Sequence, residues 1–258
     1  MKTIALVGSP NCGKTTLFNA VTGLHQHVGN WAGVTVERKE GTQNGVKWVD
    51  LPGVYALSPY SAEEKVTIDY LSGGDYDEIL QIVDATALAR GLYLTHQLTQ
   101  LSRPMTIALN MMDECRKRGI TIDTEELSAR LGIRVLPMSA RDGTGVPELL
   151  RALKDGAKTP KSPPSAPYTA IIQRMKSALP AGNLPSEFRA WKALEGDEMG
   201  AAEAARAGQA QLRAQSGMSA AAALSALRYA WADDLCAAVR RGNPDNPTRA
   251  DVIDALVP

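Results

Sequence analysis

The chain has 258 residues, 44% of them hydrophobic, and its 28 lysines and arginines are balanced by 28 aspartates and glutamates. That length supports one large domain or two ordinary ones around a buried core, and the charge balance excludes a global attraction to nucleic acid or anionic lipid. Cys12, Cys115 and Cys236 stand far apart, which argues against a disulfide framework or zinc site, and no run reaches the roughly 20 apolar residues that cross a bilayer, so a soluble, cytosolic chain without a signal peptide is expected.

In chain order, residues 3–7 read as a strand, followed by G-S-P-N-C-G-K-T at positions 8–15. This fits the G-x-x-x-x-G-K-[ST] spacing of a phosphate-binding loop, here in its required context between a strand and a helix over 14–23. Glycines let backbone N–H groups wrap phosphates, and the helix that follows offers its positive end. Lys14 would reach the β- and γ-phosphates, and the Thr15 hydroxyl would bind Mg²⁺.

Strands are expected over 35–41 and 46–50, joined through Asn44-Gly45, a two-residue hairpin signal. Asp50-Leu51-Pro52-Gly53 closes the second, where Asp50 can hold Mg²⁺ through water and the Gly53 N–H can meet the γ-phosphate. A helix over 62–71 follows Ser61, and Glu63 and Glu64 suit its first turn electrostatically rather than as catalysts. Next come a strand over 78–83, a helix over 87–101 and a strand over 106–110 that ends in Asn110-Met111-Met112-Asp113. A carboxylate at that strand end accepts the paired donors on guanine N1 and N2, which adenine does not offer. After a helix over 124–131 and a strand over 134–137, Ser139-Ala140 places a backbone N–H near guanine O6, and a helix over 146–154 ends the series. Strands alternating with helices imply a mostly parallel six-stranded α/β sheet covered on both faces.

Composition then changes. Residues 157–168 read A-K-T-P-K-S-P-P-S-A-P-Y, a stiff, extended linker. Beyond lies an alanine-rich region without strand signals, punctuated at Pro180, Pro185, Gly217 and Asn243-Pro244 into four or five helices. Leu224, Leu227, Trp231, Leu235 and Val239 form one apolar stripe, expected to pack inside a small bundle.

With the motifs in this order, all at strand ends, the first region resembles a Ras-like P-loop GTPase core. G-S-P-N-C-G-K-T-T-L-F-N, V-G-N-W-A-G-V-T-V-E, D-L-P-G and N-M-M-D together closely resemble the cytosolic G domain of the FeoB family of bacterial ferrous iron transporters. The resemblance covers residues 1 to about 155; the later helices are similar to that family's helical spacer, with weaker motifs. It implies a G domain over 1–158, a linker over 159–167 and an all-α spacer over 168–258, with R-A-D-V-I-D-A-L-V leading toward a membrane part that is absent. The parent would sit at the cytoplasmic face of the bacterial inner membrane.

By that resemblance, GTP or GDP would lie against Gly8, Asn11, Cys12, Gly13, Lys14, Thr15, Thr16, Gly33, Thr35, Asp50, Gly53, Asn110, Met111, Asp113, Ser139 and Ala140. Thr15, Thr35 and Asp50 would serve Mg²⁺, with Thr35 closing over GTP and leaving after hydrolysis. Asn11, Lys14, Thr35 and Gly53 would form the hydrolytic set. Met111 stands where most such GTPases have lysine and can cover the base without charge. Val54, in the position after D-x-x-G, cannot orient water, so hydrolysis should be slow unless Asn11 recruits K⁺ to do the work of an arginine finger. Trp31 reads either as core or as an aromatic that moves with nucleotide state. Arg38 and Lys39 read as solvated edge residues, Cys12 as a packing residue facing away from phosphate, and His25, His27 and His96 as having no metal-ligand spacing. Implied partners are guanine nucleotide, the membrane part, small cytosolic regulators and a second copy, but not nucleic acid. The alternatives are an RNA- or ribosome-associated GTPase, disfavoured by the neutral helical region without a G-x-x-G clamp, and a nucleotide sensor with negligible turnover.

Overall fold

Seven strands form one sheet in the order β2-β3-β4-β1-β5-β6-β8 in the computed structural model, which describes residues 1–23, 26–58, 61–197 and 199–242. His25, Asn243-Pro244 and the closing R-A-D-V-I-D-A-L-V segment lie outside those residues. The strands are β1 (Lys2–Gly8), β2 (Gln26–Asn30), β3 (Glu37–Gln43), β4 (Val46–Asp50), β5 (Glu78–Asp84), β6 (Met105–Asn110) and β8 (Val135–Pro137). The edge strand β2 pairs antiparallel with β3, and β3 antiparallel with β4; β4, β1, β5, β6 and β8 are parallel. The mostly parallel, helix-covered sheet is the architecture expected, with β2 as an additional strand that no β-branched run announces in Q-H-V-G-N. The Asn44-Gly45 hairpin forms as expected, with φ of 52° and 76°, so that Gln43 faces Val46.

Alternation along β1 places Ile4 and Leu6 in one apolar cluster and Ala5 and Val7 in the other, the period-2 signature of a strand buried on both faces. One face is covered by α1 (Lys14–Thr22) and α6 (Val146–Lys154), through Leu17, Phe18, Leu149 and Leu153. The other is covered by α2 (Ala62–Gly73), α3 (Leu88–Thr99) and α5 (Thr124–Leu131). A short α4 (Met112–Lys117) follows β6.

The helical region contains α7 (Thr169–Ala178), α8 (Ser186–Glu195), α9 (Ala202–Ser216) and α10 (Ala220–Val239). The stripe on α10 corrects the expectation of packing inside a small bundle. Leu224 lies in the core shared with α7 and α8, but Leu235 and Val239 belong to the core of the sheet's second face, with Leu92 and Leu98 of α3. Beyond it, β9 (Arg240–Arg241) pairs with β7 (Thr121–Ile122). His96 is buried here between Trp191 and Trp231, 5.0 and 5.1 Å away, and burial together with Arg228 pushes it down to about 3. The proline-rich segment is docked as well. Pro160 is buried, Lys161 N–H donates to Leu131 O at 2.9 Å, and Lys161 Nζ donates to Ala129 O at 2.7 Å.

Candidate functional site

The loop after β1 is shaped by close backbone approach. A Cβ at Gly8 would lie 2.7 Å from the Ile82 carbonyl oxygen and 2.6 Å from Cys12 Sγ. Gly13 caps α1 with φ of 87°, and a Cβ there would run into the Asn110 amide. Asn11 also takes a positive φ of 64°, a conformation that asparagine tolerates. Among the described residues no side chain caps α1. Its N-terminus instead borders a cavity of about 520 Å³ lined by Ser9, Pro10, Asn11, Gly13, Lys14, Thr15, Thr16, Gly53 and Met111. Cys12 is buried beneath the loop, its thiol pushed up to about 11 by burial, and does not line the cavity.

Lys14 and Asp50 form a buried ion pair beside this cavity. Each is the other's compensation in a low-dielectric site, since either charge alone would be costly to bury. The strand-end segment is tied to β1 by Leu51 N–H to Leu6 O at 3.1 Å and Val54 N–H to Gly8 O at 3.0 Å. Val54 itself is 2% exposed and packs in the core, so its side chain has no route to a water in the cleft.

A second cavity, of about 270 Å³, shares Gly13, Thr16 and Met111 with the first and adds Asn110, Asp113, Glu114, Ser139, Ala140 and Arg141. Asn110 is 3% exposed and spends both ends of its amide on protein. Its Nδ2 donates to Cys12 O at 2.8 Å, and its Oδ1 accepts from Ala140 N–H at 2.8 Å. It therefore staples the first loop to the last. Met111 turns the chain with φ of 64° and caps α4, leaving Asp113 in that helix's first turn. The Asp113 carboxylate makes no hydrogen bond or ion pair with the described residues, and Ser139 is buried at 1% exposure. Glu114 and Arg141, 3.8 Å apart, were not anticipated; each directly follows a motif in sequence, at Asp113 and Ala140.

Gly33 and Thr35 do not join this cleft. Thr35 is exposed in the loop between β2 and β3, and neither residue lines either cavity. Arg38, expected to be solvated, is half-buried, donates to Glu40, and stands 4.8 Å above the Trp31 ring. Glu64 stands in the first turn of α2, where its N–H donates to the Ser61 hydroxyl at 3.0 Å and its carboxylate accepts from the Ser58 hydroxyl at 2.7 Å.

The sequence profile of the family described as Ferrous iron transport protein B matches residues 2–153. The chain is 44% identical to the Fe(2+) transport protein A/Fe(2+) transporter FeoB fusion protein of Porphyromonas gingivalis over 76% of its length, which is 25% of that relative. It is 42% identical to the Fe(2+) transporter FeoB of Escherichia coli K12 over 80% of its length and 28% of that relative. The chain thus spans about a quarter of these curated relatives. Among solved structures, a GDP-bound variant of the S. thermophilus FeoB G domain superposes with a TM-score of 0.86 at 36% identity, covering 93% of this chain and 100% of that one.

Proposed function

Since the chain belongs to the ferrous iron transport protein B family, we propose that it binds and hydrolyses GTP as the cytosolic regulatory module of a ferrous iron transporter. The observation that carries this reading is the pair of adjoining cavities, one beside Lys14 and Asp50, the other beside the unpartnered Asp113 carboxylate. A triphosphate fits the first by charge, because Lys14 can exchange Asp50 for phosphate oxygens without leaving the wall. Guanine fits the second by its paired N1 and N2 donors. Ser139 and Ala140 would serve O6, and Met111 would cover the base between Asn11–Thr16 and α4.

Thr15, Thr35 and Asp50 offer hard oxygen donors suited to Mg²⁺, and Asn11 on the cavity wall offers an amide oxygen suited to K⁺. These cations, when bound, would offset charge on the transferred phosphoryl group. Gly53 would present its N–H to the γ-phosphate, and Gly8, Gly13 and Cys12 would supply the backbone curve. Gly33 and Thr35 would have to move inward, making 26–36 a switch segment. Turnover is slow in this reading because buried Val54 leaves water unoriented. Residues 1–158 form the nucleotide module, 159–167 the connector and 168–258 the spacer, passing the change to a membrane part at the inner membrane's cytoplasmic face. Small regulators and a second copy of the chain remain partners of this reading, and the relative fused to transport protein A supports a small regulator.

Competition between GTP and ATP tests the core of it: GTP should displace a bound fluorescent guanine nucleotide while ATP at equal concentration should not. Equal displacement overturns guanine recognition. Hydrolysis should be faster in K⁺ than in Na⁺, and Asn11→Ala should erase the difference; equal rates for the unaltered chain would remove the K⁺ role.

A further inference from the structure

The segment that must move is held by a ladder of rings. Trp31 meets Tyr70 of α2 edge to face, at 5.4 Å and 69°. Tyr70 in turn stacks on Tyr76 at 6.0 Å and 23°. Guanidinium groups close both ends, with Arg38 4.8 Å above Trp31 and Arg103 5.7 Å from Tyr76. The Trp31 indole N–H is buried without a hydrogen-bond partner among the described residues, so the ring is held by its faces and edges rather than by a polar bond. Backbone bonds make the loop behind it a unit: Trp31 N–H donates to Val36 O at 2.9 Å, and Val34 N–H to Trp31 O at 3.3 Å. Thr35 lies inside that closed turn, so it cannot swing toward the cleft while the turn is intact and Trp31 is seated.

We infer that Tyr70 is a positioning residue for this segment: by seating Trp31, it holds Thr35 outside the cleft, and GTP closure has to unseat the ring whereas GDP binding does not. This rests on the reading of Thr35 as the residue that closes over GTP. A ligand needing a minor state binds more weakly by that state's population. Weakening the seat therefore strengthens GTP binding and leaves GDP alone. An aromatic pair or an exposed cation–π contact sets the scale at roughly three- to tenfold.

The experiment compares affinities for Mg²⁺-GDP and for Mg²⁺ with a non-hydrolysable GTP analogue by calorimetry. Tyr70→Leu and Arg38→Gln should each tighten the analogue by about three- to tenfold with GDP unchanged. Tyr70→Phe, which keeps the ring and loses only the hydroxyl bond to Asp75 O, should match the unaltered chain for both ligands. The analogue-induced change in tryptophan emission should vanish in Trp31→Phe. If Tyr70→Leu does not fold, the half-exposed Arg38 carries the test. Parallel shifts in both affinities, or none, overturn the inference. Thr35→Ala separates the two layers: failure to weaken the analogue selectively sinks the switch reading itself, whereas a normal Thr35→Ala response beside inert Tyr70 and Arg38 variants sinks only the seat.

Discussion

The cleft at the strand ends and the outer segment 26–36, β2 and the loop after it, border one sheet, yet different forces hold them. In the cleft, backbone and one buried amide do the holding. Gly8 and Gly13 admit no side chain, Val54 is bonded to Gly8 O, and Asn110 ties Cys12 to Ala140. Strand β2 has backbone pairing on one side only, because it is the outer strand, and the loop after it rests on ring contacts. Such contacts are individually weak and can be remade elsewhere. Under the proposed function, the first kind would suit a surface that recognises a fixed shape and the second a segment that moves.

The contrast can be broken most sharply at Asp113. Under the proposed function Asp113→Asn would remove a charged acceptor of two guanine donors, so GTP affinity should fall by about two to three orders of magnitude, with the melting temperature unchanged. A large stability loss instead would mean that the carboxylate belongs to the scaffold. Asn110→Ala should do the reverse, costing about 3 kcal/mol by leaving Cys12 O and Ala140 N–H unpaired. That is a fall of roughly 6–12 °C in melting temperature, read by calorimetry without nucleotide.

The rear of the rigid half can be probed by pH. His96 has a folded-state value of about 3, below the ordinary 6.5, through burial and Arg228. The unfolded chain therefore takes the proton first. Stability from this group is complete above about pH 6.5 and is lost as pH falls toward 3, amounting to about 2 kcal/mol between pH 7 and pH 5. Urea unfolding at both values should show that loss, and His96→Gln should reduce it. The smallest effect belongs to the helix that carries Tyr70. Ser61→Ala removes the acceptor for Glu64 N–H and should destabilise by about 1 kcal/mol.

Much of the cleft was legible in the sequence because its motifs are local. A glycine loop between a strand and a helix, or Asp113 just after a strand, needs only neighbours within a dozen residues to be interpreted. What escaped was set by partners distant in the chain. Asn110 reads as a base contact in N-M-M-D, but its bonds reach Cys12 and Ala140, 98 and 30 residues away. Arg38 reads as solvated until Trp31 is beneath it, and Q-H-V-G-N becomes a strand only because β3 supplies a pairing edge.

Residue order alone determined an α/β sheet of alternating elements, a glycine-rich loop between a strand and a helix, a carboxylate just after a strand and a helical region to follow. These depend on hydrophobic period, turn chemistry and glycine freedom, all of which act over short stretches of chain. Tertiary structure decided that α10 shares the sheet's core, that Asn110 is a staple, and that Thr35 stands apart while Trp31 is seated on Tyr70. Those outcomes depend on which surfaces meet, and burial and ring packing between distant segments leave no periodic trace in the segments themselves.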